Sequence, residues 1–87
     1  MKVVLNKAYG GFHIPAPLLP VISTDWYDDS IEVRTDERLI EWVEHNKHKT
    51  DLRVVETDEG EVTDFYISEY DGMETLIYVI GGKLHFA

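Results

Sequence analysis

Eighty-seven residues leave room for one domain, residues 1–87, with a small core. Seventeen acidic residues against eight basic ones give a net charge of −9, so no basic patch exists for nucleic acid phosphates or an anionic membrane surface. Cysteine is absent, which excludes disulfide and zinc-thiolate frameworks, and a 44% hydrophobic content is that of a folded chain.

Lys2-Val3-Val4-Leu5-Asn6 reads as a short, buried first strand. No long apolar run follows, so neither a signal peptide nor a membrane span is expected. Tyr9-Gly10-Gly11-Phe12 suggests a turn or a close backbone approach; it lacks the spacing of a phosphate-binding loop. His13 to Ile22 holds three prolines, which rule out a long helix, and Pro17 suits the start of a short helical turn. Leu18, Leu19, Val21 and Ile22 favour an apolar loop across the core over an exposed polyproline ligand.

Ser23 to Ser30 reads as a polar, aromatic loop with Trp26 turned to the core. Ile31-Glu32-Val33-Arg34 alternates as a short strand would. Thr35 to Asn46 is the main helix. Thr35 or Asp36 caps it, and Leu39, Ile40, Trp42 and Val43 form its apolar stripe. His45, Lys47, His48 and Lys49 complement the negative end of its dipole. His45 and His48 are weak candidates for sharing a metal, but no third ligand is evident, so no metal and no cofactor is expected.

Leu52–Glu56 reads as a strand, and Thr57–Gly60 as a turn. Asp71-Gly72 between two β-prone runs marks a hairpin, because a type I′ turn needs φ > 0 at both central residues. Pairing then runs outward from Tyr70 and Met73. Glu69, Glu74, Ile67, Leu76, Phe65, Tyr78, Thr63 and Ile80 share one face, which should lie on the core. Tyr70, Met73, Ser68, Thr75, Tyr66, Ile77, Asp64 and Val79 share the other, which is mixed and half-exposed. Glu69 opposite Glu74 is a like-charge pair. A cation or a partner's lysine would relieve it, but the simpler expectation is that both side chains splay into water. Gly81-Gly82 makes a second tight turn, and Lys83–Phe86 a short edge strand guarded by Lys83 and His85. The expected fold is α+β: an antiparallel sheet of about five short strands with the helix near 35–46 packed on one face.

Two parts of the chain resemble a known group. One is K-V-V-L-N-K-A-Y-G-G-F at residues 2–12; the other is R-T-D-E-R-L-I-E-W-V-E, D-L-R-V-V-E and I-S-E-Y-D-G-M-E at residues 34–44, 51–56 and 67–74. Together they are similar to small uncharacterised proteins of tailed phages and prophages. These share the Y-G-G-F start and an E-Y-D-G-M-E motif near the C-terminus. Such proteins usually continue Y-G-G-F into a Ser-capped helix, whereas this chain has the proline-rich His13–Pro20. The resemblance implies a cytoplasmic location in the host bacterial cell and no particular reaction.

The charge is concentrated. Residues 56–74 hold eight acidic residues and no basic one. An enzyme would need a nucleophile or an acid–base pair, and Glu69 with Glu74 or the histidines carry no diagnostic motif, so no catalytic residue is assigned. The preferred expectation is a non-enzymatic interaction module. Asp64, Tyr66, Glu69, Tyr70, Asp71 and Glu74 would bind a basic, nucleic-acid-handling host protein, with no direct nucleic acid or membrane contact. That reading expects one continuous exposed acidic face. The alternative is a homo-oligomeric accessory protein, which expects an exposed apolar patch around Tyr66 and Tyr70. A small hydrolase would instead need a concave pocket at Glu69 and Glu74.

Overall fold

β1 (Lys2–Asn6) is the centre of the molecule, and its Val3, Val4 and Leu5 are fully buried. A strand with three apolar residues in succession must be covered on both faces. The computed structural model, which describes all residues 1–87, shows how. β1 pairs antiparallel with β2 (Leu52–Glu56), Val4 against Val54, to form a two-stranded ribbon. On one side Val4 and Leu52 meet Val33, Leu39 and Val43, with Phe12 and Ile14 closing the cluster. On the other side Val3 and Leu5 meet Leu76 and Tyr78.

Those last two belong to a separate three-stranded meander, β3 (Val62–Tyr70), β4 (Met73–Ile80) and β5 (Lys83–Phe86), ordered β3-β4-β5. The fold is α+β with five antiparallel strands and one main helix, as expected, but the strands divide between two sheets. The layers run helix, ribbon, meander. The ribbon covers the inner face of β4 through Leu76 and Tyr78. Thr63, Phe65 and Glu69 of β3, expected on the core, are exposed because the ribbon does not reach them, and no element covers the outer face.

The local elements follow their signals, with several corrections. The main helix, α2, spans Glu37–His45, and the Asp36 carboxylate caps it by accepting from the Arg38 N–H at 2.8 Å. Ile31–Arg34 is not a strand but a short helix, α1, capped by Ser30. Four alternating residues cannot distinguish the two periods, and the cap decides. Thr35 ends α1 rather than opening α2. Trp26 does not enter the core: it is 37% exposed and stacks on His13, ring centroids 4.8 Å apart. Asp25 and Asp28 hold its loop out by accepting from the N–H groups of Tyr27 and Ser30.

The proline-rich segment forms one turn of 3₁₀ helix at Ala16–Leu18 and lies on the first cluster through Leu18, Leu19 and Ile22. Val21, expected with them, is exposed. The Asp71-Gly72 hairpin has the expected register, Glu69 against Glu74 and Phe65 against Tyr78. A bulge after Val62 then puts Val62, not Thr63, opposite Ile80. No helix is long and apolar enough to cross a membrane.

Candidate functional site

Glu74 is buried, 6% exposed, and it lies at the meeting point of the molecule. The alternation that places Leu76 and Tyr78 inward places Glu74 inward too. Its partner is Arg34, itself 2% exposed, brought in by α1. The guanidinium forms a bidentate pair with the carboxylate, Nη1 to Oε1 and Nη2 to Oε2, each at 2.7 Å. Its remaining contacts fix it further. Nε donates to the Asp29 carbonyl at 2.6 Å, Nη1 donates to the Val4 carbonyl at 3.1 Å, and the Phe12 ring lies 4.2 Å from the guanidinium carbon.

Glu74 Oε1 also accepts from the Asn6 N–H at 2.7 Å. The Asn6 amide donates to the Gly72 carbonyl at 2.7 Å and to the Ala8 carbonyl at 2.6 Å. Lys7 Nζ donates to the Glu74 carbonyl at 2.8 Å. One network therefore ties β1, α1 and the β3–β4 hairpin together. No buried side-chain nitrogen or oxygen is left without a partner.

The glycines complete the junction. Gly72 has φ +88°, and a Cβ there would stand 2.4 Å from the Gly11 nitrogen and 2.7 Å from that of Gly10. Only glycine lets the Tyr9–Phe12 loop lie against this hairpin. The close backbone approach expected at Gly10-Gly11 is thus made to Gly72. Glu69 reaches back over the same turn, its carboxylate accepting from the Gly72 N–H.

This geometry corrects the sequence reading of the two glutamates. They do not splay into water together: both line one concave pocket with Arg34, Phe12 and Asp29, and there each is held by its own partner. Glu69 turns to its own hairpin, while both oxygens of Glu74 are occupied by Arg34 and Asn6. Glu74 is therefore removed from the partner-facing residues. The relieving cation is Arg34 of the same chain, whose role the strand reading of residues 31–34 concealed. The signal was an arginine in an apolar stretch, Ile31 and Val33 beside it, which needs an anion if that stretch is buried.

The other expected residues separate. Asp64, Tyr66 and Tyr70 lie on the outer face of the meander, and Asp71 is exposed at its tip, with φ +52°. Glu69 belongs to the opposite face. The acidic side chains therefore do not form one continuous surface. His45 turns its Nδ1 to the Glu41 carbonyl, and no group of three His, Cys, Asp or Glu side chains is placed to hold a metal. His85 stacks on Tyr78 and lies 3.0 Å from the Asp58 carboxylate.

What the outer face does carry is apolar. Tyr66, Ile77 and Phe86 form one row across the three strands, with Val79 and Leu84 beside it and Tyr70 opposite Met73. Tyr66 is 60% exposed, Leu84 63%, Phe86 66% and Tyr70 77%. A contiguous patch of this kind marks an interaction surface more often than a solvated one. On this face Asp64 is exposed, and Asp71 is exposed at its tip, whereas Asp58 lies toward the other side, against His85 and the Tyr78 hydroxyl. Comparison of the chain with protein-family models, curated proteins and solved structures finds no match.

Proposed function

We propose that this protein is a non-enzymatic interaction module that docks through the outer face of β3-β4-β5 onto a basic protein, and so inhibits or modulates it. The observation that carries the reading is the exposed Tyr66–Ile77–Phe86 row with exposed Asp64 on the same face and Asp71 at its tip. Interfaces of this type have an apolar centre and a charged rim, and the rim sets the sign of the partner. Here the charges at the face, Asp64 and Asp71, are negative, so the partner presents Lys or Arg beside an apolar patch. The resemblance to phage and prophage proteins supports a nucleic-acid-handling host protein in the bacterial cytoplasm as that partner, because such proteins expose basic grooves.

The test is capture of partners on tagged protein from a bacterial lysate, washed from about 20 mM to about 500 mM salt, a range over which screening lengths shrink several-fold. A specific basic protein is expected to be retained at low salt and released at high salt. It should be lost from the Tyr66→Ser and Asp71→Lys variants. Retention of nothing specific by the wild-type protein removes the reading for that host.

The outer face also favours a second reading, a homo-oligomer joined through Tyr66, Tyr70 and Ile77. Salt separates the two. Screening weakens a complex between opposite charges and strengthens one between two copies of charge −9. Sedimentation across the same salt series reads the difference directly.

A further inference from the structure

β3 is nine residues long and has a hydrogen-bonded neighbour on one side only, β4. Its free edge can be read from the ladder. Leu76 donates its N–H to Ala87 and accepts from the Ala87 N–H, at 3.0 and 2.8 Å, so both its polar groups face β5. In an antiparallel pair a residue's N–H and C=O point to the same side, and successive residues alternate. Ile67, opposite Leu76, therefore turns both groups away from β4, as do Phe65 and Glu69. Asp64 accepts from the Phe65 N–H at 2.9 Å, which leaves the donors of Ile67 and Glu69 open.

Natural edges are guarded by Lys, Pro or shortness. β5 is short and carries Lys83, whereas β3 is long and has no Lys or Pro; its guards are the bulge at its start and the charges of Asp64 and Glu69, which repel an acidic strand but not a basic one. From Val54 to Gly82 the chain has no Lys or Arg, and every carboxylate there except Glu74 is exposed. A second copy laid antiparallel on this edge about Ile67 would set Asp64 opposite Tyr70 and Asp71 opposite Thr63, adding a second run of carboxylates along the edge with no Lys or Arg to offset it. The charge argues for an occupant of opposite sign.

We infer that the free edge of β3 takes an extended Lys- or Arg-bearing segment of another protein as a fourth strand of the meander. Backbone hydrogen bonds at Phe65, Ile67 and Glu69 provide the register, and the acidic side chains select the charge. On the outer face the added strand would continue the apolar surface past Tyr66. This inference rests on the interaction reading above and specifies how the partner is held.

The probe is a capped synthetic peptide of alternating Lys and Val, compared with the same peptide N-methylated at every amide. The readouts are backbone shifts and amide exchange of the isotope-labelled protein. Slowed exchange at Ile67 and Glu69 with the first peptide, and binding weaker by roughly tenfold or more with the second, is the expected result. Equal binding of both peptides, with shifts at Tyr66 and Phe86 rather than the edge amides, overturns the edge and leaves the interaction reading standing. Protection of the edge amides that rises with protein concentration alone gives the edge to a second copy and overturns the basic occupant. Binding of neither peptide overturns the edge inference by itself; the reading beneath it falls only if the lysate capture also retains nothing.

Discussion

Replacing Glu74 by Ala should be the most damaging polar substitution in this protein. It leaves the Arg34 guanidinium, 3% exposed, without its anion and leaves the Asn6 N–H without its acceptor. Removing one partner of a buried pair costs about 3–5 kcal/mol, because the remaining charge stays out of water. The burial here is near complete, so solvent screening offers little discount. At ~0.05–0.15 kcal/mol per residue, an 87-residue domain has a total stability of about 4–13 kcal/mol. The loss therefore approaches the lower end of the whole. With roughly 4–8 °C of Tm per kcal/mol in a domain of this size, the midpoint should fall by at least about 12 °C. Thermal and urea unfolding followed by circular dichroism measure it. The double variant Arg34→Met with Glu74→Leu removes both charges and should recover much of the loss, since apolar replacements of buried pairs are often neutral. The cycle through Arg34→Met alone isolates the coupling. A Glu74→Ala loss under ~1 kcal/mol, the worth of an exposed pair, would refute the claim that this pair holds the sheets together.

Gly72→Ala should cost well over ~1 kcal/mol, because strain at φ +88° adds to the clash with Gly11, whereas Gly82→Ala, at φ +77° in open space, should cost only the strain; paired urea titrations compare them. Tyr66→Ser with Phe86→Ser should leave stability within about 1 kcal/mol, two exposed sites at ~0.5 each, yet abolish partner retention; unfolding and capture are run side by side. The Asp36 carboxyl lies below its usual value of 3.8, chiefly because Arg38 donates to it. Its contribution is thus complete above the unfolded value and is lost as pH falls through the lower folded one. Asp36→Ala should remove about 1 kcal/mol at neutral pH, and the difference from wild type should shrink in that acid window when unfolding is measured against pH.

Sequence reading succeeded where the determinants are local. Asp71-Gly72 and Gly81-Gly82 set their hairpins through backbone conformation alone, and the alternation of β4 assigned Leu76 and Tyr78 inward without any tertiary information. The division into two sheets was not legible. It depends on β1 being covered from both sides, and an apolar run shows that it is buried but not what buries it. The fate of Glu74 was hidden for a related reason. Its partner lies 40 residues away in a segment whose four residues fit strand and helix equally well.

Six residues of the Y-G-G-F, R-T-D-E and E-Y-D-G-M-E motifs hold one another. Gly10 and Gly11 pack on Gly72, Phe12 lies on Arg34, and Arg34 binds Glu74. Each is constrained by another motif residue rather than by anything outside the molecule. A protein sharing these motifs should therefore share the junction between ribbon and meander. Its partner need not be the same, because the apolar row proposed to bind, Tyr66, Leu84 and Phe86, lies outside these motifs. Tyr66, Leu84 and Phe86 could change together without disturbing the Arg34 network, since they lie on the opposite face of the meander. Exchanging these three residues for polar ones should leave the fold intact and erase the binding. Exchanging Gly72 or Glu74 should do the reverse of the first effect, with loss of binding only as a consequence of unfolding. A Glu74→Ala protein that stays folded but loses its partner would contradict this separation and return Glu74 to the binding surface.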